Sequence, residues 1–128
     1  MKPLFSIITV TYNAADTLPP TLRSVCEQTF ADFEHIIIDG ASKDNTVEIA
    51  RTLGRKDKVT VYSEPDNGLY DAMNKGMEKA SGDYLIFLNA GDSFHSPDTL
   101  ETISRTIEEN DRPGIVYGQT EIVDSSRR

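Results

Sequence analysis

A single cysteine, Cys26, among 128 residues rules out an internal disulfide framework. The expected setting is therefore reducing and cytoplasmic, and Cys26, inside a helix-forming segment, is expected to be a small buried residue rather than a reactive thiol. Positive charge is also scarce. Thirteen Lys and Arg stand against 21 Asp and Glu, a formal charge of −8, which repels phosphate backbones at long range and argues against a nucleic-acid partner. No apolar run approaches the roughly 20 residues of a membrane span. The opening Met1-Lys2-Pro3-Leu4-Phe5 lacks the apolar stretch and small-residue cleavage site of a signal peptide. There is no internal repeat, low-complexity tract or linker. With 38% hydrophobic and 27% charged residues, the chain has the composition and length of one ordinary globular domain.

Short apolar runs alternate with segments of helical period. Leu4 to Tyr12 is rich in β-branched residues, continuous from Ile7 to Thr11, as suits a strand covered on both faces. Thr17-Leu18-Pro19-Pro20 then opens a helix to about Gln28, its prolines tolerable only in the first turn. A second strand is expected from Phe33 to Asp39. Asp44 or Asn45 can cap the next helix, with Glu48 at capping-box spacing from Asn45 and a glycine stop at Gly54. A third strand spans Val59 to Ser63. Leu69, Ala72, Met73, Gly76, Met77 and Ala80 recur with helical spacing and predict an apolar, core-facing stripe. A fourth strand runs from Tyr84 to Leu88. Ser96-Pro97-Asp98 reads as cap, first-turn proline and helix-start acid for a helix bearing Leu100, Ile103 and Ile107. Ile115 to Val123 is expected to be a last strand. This alternation predicts an α/β fold, a doubly wound, mainly parallel sheet of Rossmann-like type.

The polar residues gather where the strands stop. Thr11-Tyr12-Asn13 ends the first strand, Asp39 the second, and Asn89-Ala90-Gly91-Asp92 follows the fourth. Open α/β sheets bind ligands in that crevice. A nucleotide diphosphate there needs a base contact, a polar floor for ribose and a counter-charge. Asp39 can accept the imide N–H that uracil has and cytosine lacks, and Thr11, Tyr12 and Asn13 can shape a base pocket. Asp92 can hold Mg²⁺ or Mn²⁺, hard cations that take oxygen ligands and keep waters and phosphate oxygens. Asp66, after the third strand, and Asp71 with Asn74, one helical turn apart, are further candidates to face the ligand. Glu64 is as well explained by solubilising a turn, Lys75 by an ordinary surface position and Asp44 by a cap. His95 reads as an exposed loop residue, and Met73 and Met77 as core.

Four ordered segments carry a resemblance to the family 2 glycosyltransferases of the GT-A fold. They are Ser6-Ile-Ile-Thr-Val-Thr-Tyr-Asn13, Ile38-Asp-Gly-Ala-Ser-Lys-Asp-Asn-Thr46, Glu64-Pro-Asp-Asn-Gly-Leu-Tyr-Asp-Ala-Met-Asn-Lys-Gly76 and Gly82-Asp-Tyr-Leu-Ile-Phe-Leu-Asn-Ala-Gly-Asp92. The resemblance implies that the family's nucleotide-binding acid is Asp39 and that its DxD-type metal motif falls on residues 89–92. Asn89 and Gly91 replace the leading acids of that motif, leaving Asp92 as the direct metal ligand. It further implies inverting transfer from a nucleotide-sugar, a UDP-sugar before others, to a glycan or lipid-linked acceptor in polysaccharide or glycan biosynthesis. Residues 1–128 would be the nucleotide-sugar-binding domain. The family's catalytic base and acceptor elements, and any membrane association, would lie beyond Arg128.

Two other readings share the topology. A non-catalytic nucleotide-binding module needs the same strand ends without a base. A receiver-type signalling domain needs paired acids after the first strand and an aspartate after the third, where this chain has Tyr12-Asn13 and Ser63-Glu64.

Overall fold

The computed structural model describes residues 3–109. In them, strands and helices alternate: β1 (Phe5–Thr11), α1 (Leu18–Cys26), β2 (Phe33–Asp39), α2 (Thr46–Leu53), β3 (Val59–Ser63), α3 (Leu69–Lys79), β4 (Tyr84–Phe87) and α4 (Thr99–Glu109). The strands pair in parallel in the order β3-β2-β1-β4. This is the expected doubly wound α/β sheet. The strand expected at 115–123 lies outside the described residues.

Strands β1 and β2 are buried along nearly their whole length, which is why apolar and β-branched residues fall on both faces rather than alternating with exposed polar ones; the polar exceptions inside, Ser6, His35 and Asp39, are buried as well. On one face, Leu18 and Leu22 of α1 and Ala50 of α2 enclose Ile37. Leu100, Ile103 and Ile107 of α4 pack with Phe5, Ile7, Val25 and Ile86 on that side. Helix α3 covers the other face, where Ala72 meets Ile36 and Ile38. Each fully buried Ile or Leu contributes about 1.5–3 kcal/mol relative to leaving it in water. Close approach of α3 depends on Gly76, because a Cβ there would lie 2.5 Å from Ile8 Cγ2.

The chain winds from β1 outward to β3, then crosses back over β2 and β1 through α3 to place β4 on the far side of β1. Right-handed connections put α1 and α2 on one face and the returning α3 on the other. The winding reverses between β1 and β4, and ligands of such sheets bind beyond the strand ends at that switch point.

Several local expectations change. Cys26 is exposed, not buried, because it closes the last turn of α1, where its thiol donates to the Leu53 carbonyl at 3.5 Å. The apolar stripe of α3 is narrower than its spacing suggests. Ala72 and Gly76 are buried, whereas Leu69 and Met77 are exposed, since only the small residues meet the sheet. Asn45 makes no side-chain cap to α2. Asp44 does so instead, accepting from the Thr46 amide at 3.1 Å and from the Thr46 hydroxyl. Helix α4 begins at Thr99, with Ser96 bonding to Asp98 ahead of it.

His35 lies fully inside the α1/α2 face. Its Nε2 is 2.8 Å from Thr9 Oγ1, and Nδ1 has no partner among the described residues. Burial pushes its pKa down to about 4, so the ring stays neutral in the folded chain while the unfolded chain takes a proton near pH 6.5. A depressed histidine gives stability that is complete above pH 6.5 and declines as pH falls toward 4. The shift corresponds to a loss on the order of 3 kcal/mol across that window. Urea denaturation of wild type and His35→Gln between pH 7.5 and 4 should show a steeper decline in wild type, the variant keeping only the slope that its carboxylates contribute below about pH 5. Parallel curves would exclude His35 as its source.

Candidate functional site

The sheet register builds the site. Thr11, Asp39 and Ser63 stand abreast at the ends of β1, β2 and β3, and their side chains share one face. Asp39 has no exposed surface. Its Oδ1 accepts from the Thr11 hydroxyl at 2.7 Å and the Ser42 hydroxyl at 2.5 Å. Its Oδ2 accepts from the Ser42 amide at 2.8 Å and the Ser63 hydroxyl at 2.9 Å. These bonds outweigh the cost of burial and hold the carboxyl below the usual carboxylate range.

The network stitches two loops together. The Asn13 amide donates to Ser42 Oγ at 2.7 Å, and the Lys43 amide donates to Asn13 Oδ1 at 2.8 Å. Ala14 and Ala15 donate to Thr46 Oγ1 and Asp44 Oδ2 at 2.8 and 3.2 Å. Asn13 and Ala41 take left-handed φ values of 49° and 62°. Asparagine tolerates that conformation, but alanine adopts it at a cost of about 1–2 kcal/mol. The surrounding bonds offset that cost. Neither Ser42, Ser63 nor Thr46 stood out in the sequence, because a serine or threonine at a strand end or helix start is ordinary.

Above these loops opens a cavity of about 550 Å³ lined by Val10, Thr11, Tyr12, Gly40, Pro65, Asp66, Gly68 and Leu69. Of the expected nucleotide-site residues, Thr11, Tyr12 and Asp66 line it. Asp39 does not, because alternation along β2 turns it toward the α1/α2 face and leaves the next residue, Gly40, at the cavity. A Cβ on Gly40 would lie 2.7 Å from Asp66 Oδ2, so a bare backbone there is what lets the β3–α3 loop settle. Asn74 is exposed on α3. Asp71 accepts from the Asn67 amide at 2.9 Å and lies 3.6 Å from Lys75.

Residues 89–92 form a separate turn beyond β4, docked on α1. Thr21 donates its hydroxyl to the Asp92 carbonyl at 2.6 Å and accepts from the Gly91 amide at 2.9 Å. Gly91 has φ 98°, which a non-glycine residue adopts rarely. Phe94 anchors the segment by inserting into the α1/α4 core. Asp92 is half-buried, and Asn89 Oδ1 is buried without a hydrogen bond. His95 is exposed, as expected. No cluster of three or more His, Cys, Asp or Glu suited to a metal occurs among the described residues. The orphaned amide oxygen of Asn89 and the carboxylate of Asp92, on one turn, are nevertheless donor types that suit a hard cation that keeps water and ligand oxygens.

A profile for the family described as "Glycosyl transferase family 2" matches residues 6–128. The chain belongs to this family. It is 41% identical over 118 residues to a "PGL/p-HBAD biosynthesis glycosyltransferase" of Mycobacterium tuberculosis strain H37Ra, covering 91% of this chain and 46% of that protein. It is 39% identical over 102 residues to the "Putative teichuronic acid biosynthesis glycosyltransferase TuaG" of Bacillus subtilis, covering 78% of this chain and 40% of the relative. The chain therefore spans less than half the length of these curated relatives. Among solved structures, S. aureus TarS 1-349 in complex with UDP-GlcNAc superposes with a TM-score of 0.76 at 26% identity, over 87% of this chain and 32% of that one. The Pyrobaculum calidifontis mannosyltransferase PcManGT, in complex with GDP-Man and Mn²⁺, has the same fold, with a TM-score of 0.74 at 24% identity over 84% and 33% of the two chains.

In this family 2 chain the Asp39 network joins the ends of β1, β2 and β3 to the β2–α2 loop. Asp39→Ala removes one acceptor and leaves the Thr11, Ser42 and Ser63 donors to find others, so stability should fall by about 2–4 kcal/mol. Urea denaturation at pH 7 measures it. A loss under about 0.5 kcal/mol would show that water replaces the carboxylate at little cost.

Proposed function

We propose that this chain is the donor-binding domain of an inverting glycosyltransferase that uses a UDP-sugar and a divalent cation. The observation that carries the reading is the strand-end cavity of about 550 Å³. It has the size of a small-molecule site, and family membership and the UDP-GlcNAc complex of TarS agree with it.

The base enters between Tyr12 and the 65–69 loop, with Val10 and Leu69 as apolar walls and the backbone of Gly40 as floor. Thr11 and Asn13 shape the pocket through the β1–α1 loop, and Asp71 and Asn74 act from α3. The diphosphate extends toward the 89–92 turn across the switch point between β1 and β4. The cavity lining carries one carboxylate and no basic side chain, so its charge does not neutralise a diphosphate. Asp92 would hold Mg²⁺ or Mn²⁺, with Asn89 Oδ1 on the same turn and the backbone of Ala90 and Gly91 turning the loop. When bound, the cation offsets negative charge on the departing diphosphate. Transfer itself is attack by an acceptor hydroxyl on the anomeric carbon as its bond to the diphosphate oxygen breaks, with inversion. The hydroxyl's proton goes to a general base not assigned to any described residue. A glycan or lipid-linked acceptor suits the curated relatives' names. The competing reading is a module that binds nucleotide without transfer.

Isothermal titration of the chain with UDP should give at least tenfold tighter binding with Mn²⁺ than with chelator, and Asp92→Ala should abolish the difference; tenfold is about 1.4 kcal/mol. Equal binding in wild type with and without metal would remove the metal assignment. Failure to bind UDP at all would remove the donor reading. Glycoside formation from UDP-sugars and candidate acceptors separates enzyme from module.

Base recognition is a second expectation. Asp39 can accept the uracil imide proton only if a hydroxyl turns away, and Ser63 is the exposed donor with water as an alternative partner. Asp66 already faces the cavity. Asp39→Asn and Asp66→Asn, titrated with UDP and CDP, separate the two. The reading carboxylate should cost UDP about 1.5–3 kcal/mol while leaving the weaker CDP binding unchanged. Equal wild-type affinity for CDP and UDP would exclude both.

A further inference from the structure

Lys75 is the unusual cation near this acidic site. Its Nζ donates to the Pro65 carbonyl at 2.9 Å and lies 3.0 Å from Glu64 Oε2 and 3.6 Å from Asp71 Oδ2. Pro65 lines the cavity, and Glu64 directly precedes it. Asp71, one turn before Lys75 on α3, accepts from the Asn67 amide at 2.9 Å. Two α3 side chains thus grip the β3–α3 loop at residues 64, 65 and 67. Between these anchors sits Asp66, whose Oδ1 accepts from the Gly68 amide at 3.1 Å. Its carboxylate crosses above Gly40, close enough that a Cβ there would collide with it. Gly68, at φ 111°, gives the loop's far end a backbone freedom that these anchors help restrain, together with its amide's bond to Asp66 and its carbonyl's bond to the Ala72 amide.

We propose that Lys75 is a positioning residue for donor binding, a clamp from α3 that holds the β3–α3 loop so that Asp66 forms one wall of the nucleotide cavity. The proposal rests on reading that cavity as the nucleotide site. Lys75 does not meet phosphate. Its ammonium is committed to Glu64, Asp71 and a backbone carbonyl, and their spacing leaves its charge opposing theirs rather than a ligand's. The Glu64 hydrogen bond, followed by the charges of Glu64, Asp71 and Asp66, raises its pKa above the ordinary lysine value. The clamp therefore stays charged at neutral and mildly alkaline pH.

Two substitutions in the 128-residue chain test the clamp: Lys75→Met, which keeps the stem without the charge, and Lys75→Arg, which keeps the charge. In nucleotide-free protein, amide exchange at Asn67 and Gly68 should quicken in Lys75→Met while the β1 and β2 amides stay protected and the melting temperature changes little. UDP binding in the presence of Mn²⁺ should weaken by about tenfold in Lys75→Met and recover most of that in Lys75→Arg, the scale expected for loosening a charge-assisted hydrogen bond beside a ligand. Unchanged exchange at Asn67 and Gly68, or wild-type UDP affinity in Lys75→Met, would overturn the clamp. So would equal weakening by both substitutions. If wild type fails to bind UDP, the donor reading falls, while the exchange measurement still decides whether Lys75 holds the loop.

Discussion

The row formed by Thr11, Asp39 and Ser63 is the constraint on which the site depends. A carboxylate withdrawn from water is costly unless its lone pairs are filled, and here four donors from three segments fill them. Only one pairing of β1, β2 and β3 brings those donors to Asp39. A slip of one residue would turn every side chain of a strand to the opposite face, leaving the acid without partners and the isoleucines of β2 misplaced. Core packing and the polar network therefore select the same register.

From that register the loops follow. Ser42 satisfies Asp39 through both its amide and hydroxyl, which draws the β2–α2 loop back over the strand end. The Asn13 amide then bonds to Ser42, bringing in the β1–α1 loop. The left-handed conformations at Asn13 and Ala41 are the local cost of turning so tightly, and the bonds on either side hold them. The cavity is an opening above a braced floor. Its remaining wall, the β3–α3 loop, is tied to β2 where the Glu64 amide donates to the Asp39 carbonyl, and beyond that point is held from α3.

Alternation along the strands divides the labour of the acids. Asp39 faces the α1/α2 side and organises structure, whereas Asp66 rests over the bare backbone of Gly40 and faces the cavity. The 89–92 turn sits across β1, fixed to α1 by Thr21 and anchored by Phe94. The polar groups beyond β1 and β4 thus flank the point where the winding of the sheet reverses, the usual location of ligands in this architecture.

Much of this organisation was legible in the amino-acid sequence. The bounds of β2 and β3 follow from their apolar runs, the parallel sheet from strand-helix alternation, and the importance of the strand ends from acids placed after buried segments. Where residues contact only chain neighbours, local chemistry was sufficient, as at the prolines of α1 and the glycine after α2. Exposure was less legible. Helical spacing grouped Leu69 and Met77 with Ala72, yet close approach of α3 through Gly76 leaves room only for small residues at the contact. Cys26 was misjudged because it lies at a helix end rather than inside one. By itself, then, the sequence determined the fold class, the family motifs and the end of the sheet that carries the polar groups. The tertiary structure alone decided which carboxylate is buried and which faces the cavity, and which lysine holds the loop. Those assignments depend on contacts between residues as far as 28 positions apart, whose partners are chosen by strand register and by the side of the sheet that each helix covers.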